Sequence, residues 1–532
     1  MFRNRKALLF GLLLFYLYFR GTGSHGLIDP LEGINASIAL HMSAGGNRFI
    51  PRIGEAFAAG RSMGTWWLEA LALKIFGWSE FAVRFFSALS GLIMIWASAI
   101  ASRDSRSIST RASWLSASIC AGMTICFTVS QLVSPHAIYA CLMSLTMTGI
   151  IRYLEARENK RRLFLAHFCS TLCFIAYGFE GLLLTWLAVI SYSVLADDMR
   201  MLKDFFTWPG GMIFTVIISG LYFLLLMLIN TDIIQFMHCQ VHTYTFGGIL
   251  GMCIFAFMSF MPFHGFIIRS VYEVIPKKYP ADKSPEVFML VWAVIFGLSA
   301  ILSGDMLALS CCAVPLSSIL GRRLDEWLDQ RKLYAVIISV MINIMLIVPV
   351  VFMILPFMMN KFPVIKISML SLIPWGMATG LFLFASWYYT KTRQIEKWVR
   401  NVPGAALLCL LPLAGVFSLT AGEYSLRDIG LKLRDSVQGD DRVIQYGVNY
   451  PSVYFYSLRN SGIIDAELMP GVAEKKYITD EEELNRIWNA KDRVFMILPV
   501  ERSANKSLPQ NIFSIFESNG MLLISNQKNE NK

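Results

Sequence analysis

Gly26-Leu27-Ile28-Asp29-Pro30-Leu31-Glu32-Gly33 comes directly after the first apolar run of the chain and sets two carboxylates, Asp29 and Glu32, immediately outside it. Carboxylates beside a lipid-spanning helix are costly to keep and mark function. The turn opens the longest polar-containing segment between the apolar runs of the first four hundred residues.

Outward from this turn the composition decides the class. Of 532 residues, 55% are apolar and 16% charged, and the apolar ones come in long unbroken runs. That is a polytopic α-helical membrane protein. Runs of spanning length fall near residues 6–20, 80–102, 113–131, 136–153, 163–177, 180–196, 208–230, 247–268, 287–303, 306–320, 333–358, 367–389 and 402–421, thirteen in all. The ten cysteines lie almost all inside these runs, Cys239 being the main exception, so no disulfide framework is implied.

The net charge of +10 does not point to nucleic acid, because the basic residues fall in alternate loops. Arg3, Arg5 and Lys6, then Arg103, Arg106 and Arg111, then Arg157 to Arg162, and so on to Lys391–Arg400, mark those loops as cytoplasmic. The amino terminus is then cytoplasmic, and the 24–79 loop and everything after about residue 422 lie outside. The first run lacks a small-residue cleavage site and reads as a retained anchor.

Within the outer loop, Ile34 to Met42 and Thr65 to Phe76 have the apolar spacing of two interfacial helices. Trp66 and Trp67 there suit an aromatic belt. Arg84, near the outer end of the second run, either snorkels to the interface or offers its planar fork to an anion. Ser134-Pro135-His136 and Tyr177-Gly178-Phe179-Glu180-Gly181 are tight outer turns, the latter carrying a further carboxylate. His238, Cys239 and His242 match no standard zinc spacing, and no metal or other cofactor is called for. No repeated hydrophobic pattern links the two halves and mid-span charges are few, which argues against a transporter.

After Ala421 the composition shifts. Segments 442–446, 463–468, 493–498 and 521–525 read as strands, and Thr479 precedes an acidic helical start as an N-cap does. The expected division is a membrane domain, 1–421, and a small periplasmic α/β domain, 422–532.

The run Gly26 to Gly33, with Met42, Phe49-Ile50-Pro51, Trp67, Phe76-Gly77 and Ser79-Glu80-Phe81-Ala82-Val83-Arg84, resembles the amino-terminal signature of the bacterial lipid-linked-sugar glycosyltransferases. These are the aminoarabinose transferases acting on lipid A and the related protein mannosyltransferases, of the GT-C fold. Tyr454-Phe455-Tyr456-Ser457-Leu458, Tyr477-Ile478-Thr479-Asp480 and Leu523-Ile524-Ser525-Asn526 are similar to that family's outer domain.

The resemblance implies a bacterial inner-membrane enzyme. Its donor would be a polyprenyl-phosphate-linked sugar, its acceptor a lipid or a protein, and its surroundings membrane lipids. A carboxylate in the first outer loop would act as base or orient the acceptor, and cations would stabilise the departing lipid phosphate. Here that assigns Glu32, Asp29 and His136 to catalysis, Arg61 and Arg84 to the donor phosphate, and Glu180, Tyr177 and Trp67 to the cavity. The chain departs from the family at four polar positions. Leu31 replaces the usual aspartate, Arg61 is the sole substitute for a lysine, His136 stands for a second aspartate, and Tyr177 begins a turn that normally starts with lysine. A non-catalytic relative that binds lipid-linked sugar or a partner enzyme is the alternative reading.

Overall fold

The computed structural model describes residues 2–45, 49–53, 56–58, 63–103, 110–229, 246–349, 369–439, 441–464, 472–473, 481–490, 492–503, 509 and 511–528. They fall into two compact units.

The first unit, residues 1–20, 86–228 and 237–417, is helical. Among the described residues six helices are long and apolar enough to cross a membrane, or seven if a bent pair counts as one. The elements that position the polar clusters are α1 (Phe2–Phe19), α4 (Glu80–Ala101), α5 (Arg111–Gly122), α6 (Thr124–Gln131), α7 (Pro135–Glu155), α8 (Arg161–Tyr177) and α9 (Glu180–Leu195). The start of α7 is set by its sequence. Proline is tolerated at the first helical position, and the Ser134 hydroxyl accepts from His136 N at 3.3 Å.

Two expected spans are not single helices. The run at 113–131 bends by 58° between α5 and α6. The run at 247–268 splits into Phe246–Ser259 and His264–Val274 around Pro262, whose missing N–H and fixed φ interrupt a helix. Asn343 mends that break, its side chain donating to Pro262 O at 2.6 Å and accepting from Gly265 N at 2.9 Å. Elsewhere small polar residues let helices approach, as where Ser98 Oγ meets Ser317 Oγ at 2.8 Å. Cys120, Cys126, Cys141, Cys169, Cys173, Cys311, Cys312 and Cys409 are free and buried.

The second unit, residues 21–85, 229–236 and 418–532, joins the outer loop to the carboxyl-terminal region. The expected boundary at 421 therefore does not divide the compact units, because the outer loop packs against the carboxyl-terminal region. Helices α2 (Leu31–Ser43) and α3 (Gly64–Phe76) occupy the two places expected for interfacial helices. Short strands β1 (Arg52–Ile53), β2 (Ala56–Ala58) and β5 (Val472–Ala473) pair in that order, and a five-stranded sheet has the order β4 (Ser461–Ile464), β3 (Arg442–Tyr446), β6 (Val494–Pro499), β8 (Met521–Ser525), β7 (Phe513–Ser518). Pairing is parallel for β3 with β4 and β6, and antiparallel for β8 with β6 and β7. Strand β6 is buried on both faces, as its unbroken apolar run requires. Strand β7 escaped the sequence reading because Phe513–Ser518 mixes polar and apolar residues at a half-exposed edge. Thr479 lies outside the described residues.

The loop is stitched to the α/β region at several points. Ser37 Oγ donates to Pro451 O at 2.8 Å, Leu27 N to the Tyr456 hydroxyl at 2.8 Å, and Arg427 Nε meets Glu80 Oε1 at 3.0 Å. Gly33 permits a close approach. A Cβ there would collide with Asp29 Oδ1 and sit 2.7 Å from Ser452 N. Gly33→Ala is therefore expected to cost about 1–3 kcal/mol, read as a lower melting temperature of the purified chain.

Candidate functional site

Each unit carries one polar cluster built from residues the sequence singled out. In the second unit the centre is the Glu32–Arg84 pair. Glu32 stands in the first turn of α2, and Arg84 in the second turn of α4; both side chains are fully buried. The guanidinium lies against the carboxylate as a fork, Nε to Oε1 at 2.8 Å and Nη2 to Oε2 at 2.7 Å. Its other N–H groups go to Thr22 O, His25 O and Gly26 O at 2.9, 2.9 and 3.0 Å. All five donors of Arg84 are thus used within the protein. The expectation that it faces a donor phosphate does not match this geometry, because no N–H is left for a ligand.

Glu32 also accepts Ile28 N at 2.9 Å. Burial alone would lift its carboxyl, but the charge and hydrogen bonds of Arg84 outweigh burial and hold it below the ordinary carboxylate range. It is an ionised, saturated group with no face open to an acceptor. His25 is pushed down to about 4 by burial and then by Arg84, so it stays neutral.

Asp29 does different work. Its Oδ1 accepts from Ser452 N at 3.1 Å and its Oδ2 from the Ser452 hydroxyl, so it tethers the short helix Ser452–Ser457 to the loop. Burial pushes its carboxyl from 3.8 up to about 7, against the two Ser452 bonds and with the help of the Glu32 charge. The folded chain therefore holds a proton that the unfolded chain has lost between about pH 4 and 7. Stability falls as pH rises through that window and levels above it. Glu69, buried in α3 and raised by burial and then by Glu32, acts in the same direction. Melting at pH 5 is expected above melting at pH 8, and Asp29→Asn should shrink the difference.

Leu31, at the position of the family aspartate, is 36% exposed. Trp67 meets Phe49 edge-on at 5.9 Å and, with Met42, Ala70, Leu71 and Lys74, lines an apolar groove of about 330 Å³. Arg61 lies outside the described residues, as do His238, Cys239 and His242.

In the first unit the centre is a residue that sequence reading passed over. Asp305 comes after Gly304, which ends the helix Pro285–Ser303 in the left-handed conformation, and it precedes the short 3-10 helix Met306–Cys312. Its Oδ2 accepts from His136 Nε2 at 2.7 Å and from the Tyr177 hydroxyl at 2.9 Å. On its far side His136 Nδ1 meets Ser134 Oγ at 2.5 Å. Asp305 also receives the Tyr177 hydroxyl, which suits a proton on His136 Nε2 directed at it, while Nδ1 and Ser134 Oγ share the second hydrogen bond. Both ring nitrogens of His136 are therefore engaged within the protein.

Tyr177 is held by stacking on Tyr139, centroids 3.9 Å apart. His136 and Tyr177 are buried, Ser134 fully so, and the Asp305 side chain is 17% exposed. Glu180 opens α9 and is half-buried. The structure thus unites His136 and Tyr177 on a third, unexpected carboxylate. The signal for it was available, since Ser303-Gly304-Asp305 is an acid in a charge-poor outer turn by the same criterion that picked out Glu180.

Known proteins share this architecture. The family model described as dolichyl-phosphate-mannose-protein mannosyltransferase matches residues 61–224. A protein of Aquifex aeolicus described only as uncharacterised is 26% identical over 229 residues, 43% of this chain, and the match spans 45% of that relative's length. Among solved structures, ArnT from Cupriavidus metallidurans superposes with a TM-score of 0.77 in its apo state, at 14% identity over 99% of both chains. The same protein bound to undecaprenyl phosphate gives 0.77 at 15% identity over 98% of both. AglB from Archaeoglobus fulgidus, in complex with an inhibitory peptide and a dolichol-phosphate, gives 0.53 at 12% identity, covering 100% of this chain and 75% of that one. The resemblance to the GT-C lipid-linked-sugar glycosyltransferases holds, in fold along the whole chain and in sequence over residues 61–224.

Proposed function

We propose that this chain, folded as the lipid-linked-sugar glycosyltransferases are, moves a sugar from a polyprenyl-phosphate carrier to a lipid or protein acceptor. It would do so at the outer face of a bacterial inner membrane. The observation that carries the proposal is the match of fold along 98% of the chain to ArnT with undecaprenyl phosphate bound. Thirteen spans, a cytoplasmic amino terminus and a periplasmic carboxyl-terminal domain complete the reading, supported by the alternation of basic loops.

In such a transfer the acceptor oxygen attacks the anomeric carbon, the bond from that carbon to the phosphate oxygen breaks, and the lipid phosphate departs. A carboxylate must receive or orient the acceptor's proton. Asp305 is the best-placed candidate. Two donors on one oxygen hold it in a fixed orientation, with part of its surface open. Its role is to orient the acceptor hydroxyl, while His136 and Tyr177 position Asp305. Glu32 and Arg84 set the shape of the loop and take no part in proton transfer.

A second reading has specific support. With Leu31 at the aspartate position, Asp29 tied to Ser452 and Glu32 saturated by Arg84, the turn at 26–33 offers no unengaged carboxylate. This favours a relative that binds lipid-linked sugar without transferring it. Both readings require the carrier to bind. Undecaprenyl phosphate added to the purified chain is expected to raise its melting temperature, and an unchanged melt across the soluble range of the lipid counts against both. Leu31→Asp then separates them, by raising transfer in an enzyme that was already active or conferring it on a binder.

A further inference from the structure

At the end of α7 opposite Asp305, about 30 Å away along a helix of 21 residues, four arginines cluster around Arg152, and two of them bond one carboxylate. Arg322 Nη2 donates to Glu155 Oε1 at 2.9 Å, and Arg152 Nη1 donates to Glu155 Oε2. Arg162 Nη1 donates to the Arg152 carbonyl, and Arg152 Nη1 also reaches Arg103 O at 2.9 Å. Arg152 lies within electrostatic range of Arg162, Arg103 and Arg322 together.

Part of this arrangement closes helix ends. Arg322 caps α4 through Ala101 O at 2.8 Å and Ser102 O at 3.1 Å, and cations suit the negative end of a helix. Capping needs one cation per helix end, however, and here Arg152 and Arg322 share a single carboxylate that is itself only 7% exposed, while Arg103 and Arg162 add charge within electrostatic range of Arg152. The adjoining loop 104–109 lies outside the described residues, but its one acid, Asp104, and one base, Arg106, add no net charge. The neighbouring Arg157 is matched separately by Asp198. A surplus of positive charge beside apolar spans calls for an anion, and guanidinium forks suit phosphate oxygens.

We propose that Arg103, Arg152, Arg162 and Arg322 form a binding site for a phosphate-bearing anion, namely the headgroup of an anionic phospholipid in the leaflet that the basic loops face. Glu155 offsets the repulsion between two of the guanidiniums and holds them side by side. The site is independent of the transferase reading and lies at the other end of α7 from the residues proposed for it.

The test uses the full chain in nanodiscs of phosphatidylglycerol and phosphatidylcholine, with native mass spectrometry of retained lipid as the readout. Arg103→Gln is the cleanest variant, because the Arg103 side chain is exposed and makes no hydrogen bond among the described residues. It and Arg162→Gln are each expected to lower retention of phosphatidylglycerol about fivefold, with melting in detergent unchanged for Arg103→Gln. Lys203→Gln, an exposed charge on another helix, should leave retention as in the parent. Inorganic phosphate is the second arm. If it stabilises the parent but not Arg103→Gln, and lipid retention shows no preference, the site's ligand is a soluble phosphate. Equal retention of both lipids by the parent with no response to phosphate overturns the proposal, as does an equal loss in Lys203→Gln.

Discussion

Arg84→Met in the full chain should cost about 3–5 kcal/mol and leave the outer loop open to protease, because it strands the Glu32 carboxylate without its partner. The fork between Arg84 and Glu32 is buried to 0% exposure on both sides, and three backbone carbonyls depend on the same guanidinium. Glu32→Gln is expected to be nearly as damaging, since it leaves a buried cation unmatched. Arg84→Lys should fail to rescue, a single ammonium being unable to reach five acceptors. Replacing both residues with apolar ones, Glu32→Leu with Arg84→Met, should recover part of the loss. Limited proteolysis and thermal melts read all four variants. A Glu32→Gln chain that melts with the parent yet has lost sugar transfer would return Glu32 to the catalytic role suggested by its place in the sequence.

Asp305→Asn is expected to lower transfer about 100-fold or more while leaving the melt unchanged, because an asparagine oxygen can still accept from His136 and Tyr177. His136→Ala and Tyr177→Phe should each lower it less, since each removes one of two donors that hold the carboxylate. The split between kcat and KM separates the roles. Loss of an acceptor-orienting carboxylate lowers kcat, whereas a purely structural lesion would show first in the melt. Transfer undiminished in Asp305→Asn removes this residue from the mechanism.

The architecture was legible because it is written in one-dimensional signals. Long apolar runs announce helices, and Val494–Pro499 announces a buried strand without any knowledge of its neighbours. The interruption at Pro262 was legible in principle, but hydropathy averages over a single proline.

The roles of site residues were not legible in the same way. Asp29, Glu32 and Arg84 were found by residue type, yet what each does is set by partners that sequence position does not reveal. Ser452 lies more than four hundred residues from Asp29. Arg84 looked like an anion ligand, and it is one; the anion is Glu32. His136 looked like a base, and its two ring nitrogens are engaged by Ser134 and Asp305. The role of Asp305 was not legible because the carboxylate beside His136 arrives from a turn 169 residues away in sequence.

Transfer of a lipid-linked sugar by this chain is the central claim, and it is tested most directly by mass spectrometry of surface glycolipids and glycoproteins in cells with and without the chain. The account predicts one species that carries a single added sugar in the presence of the chain, lost on deletion and lost again with Asp305→Asn. Identical glycolipid and glycoprotein profiles in cells with and without the chain would contradict it.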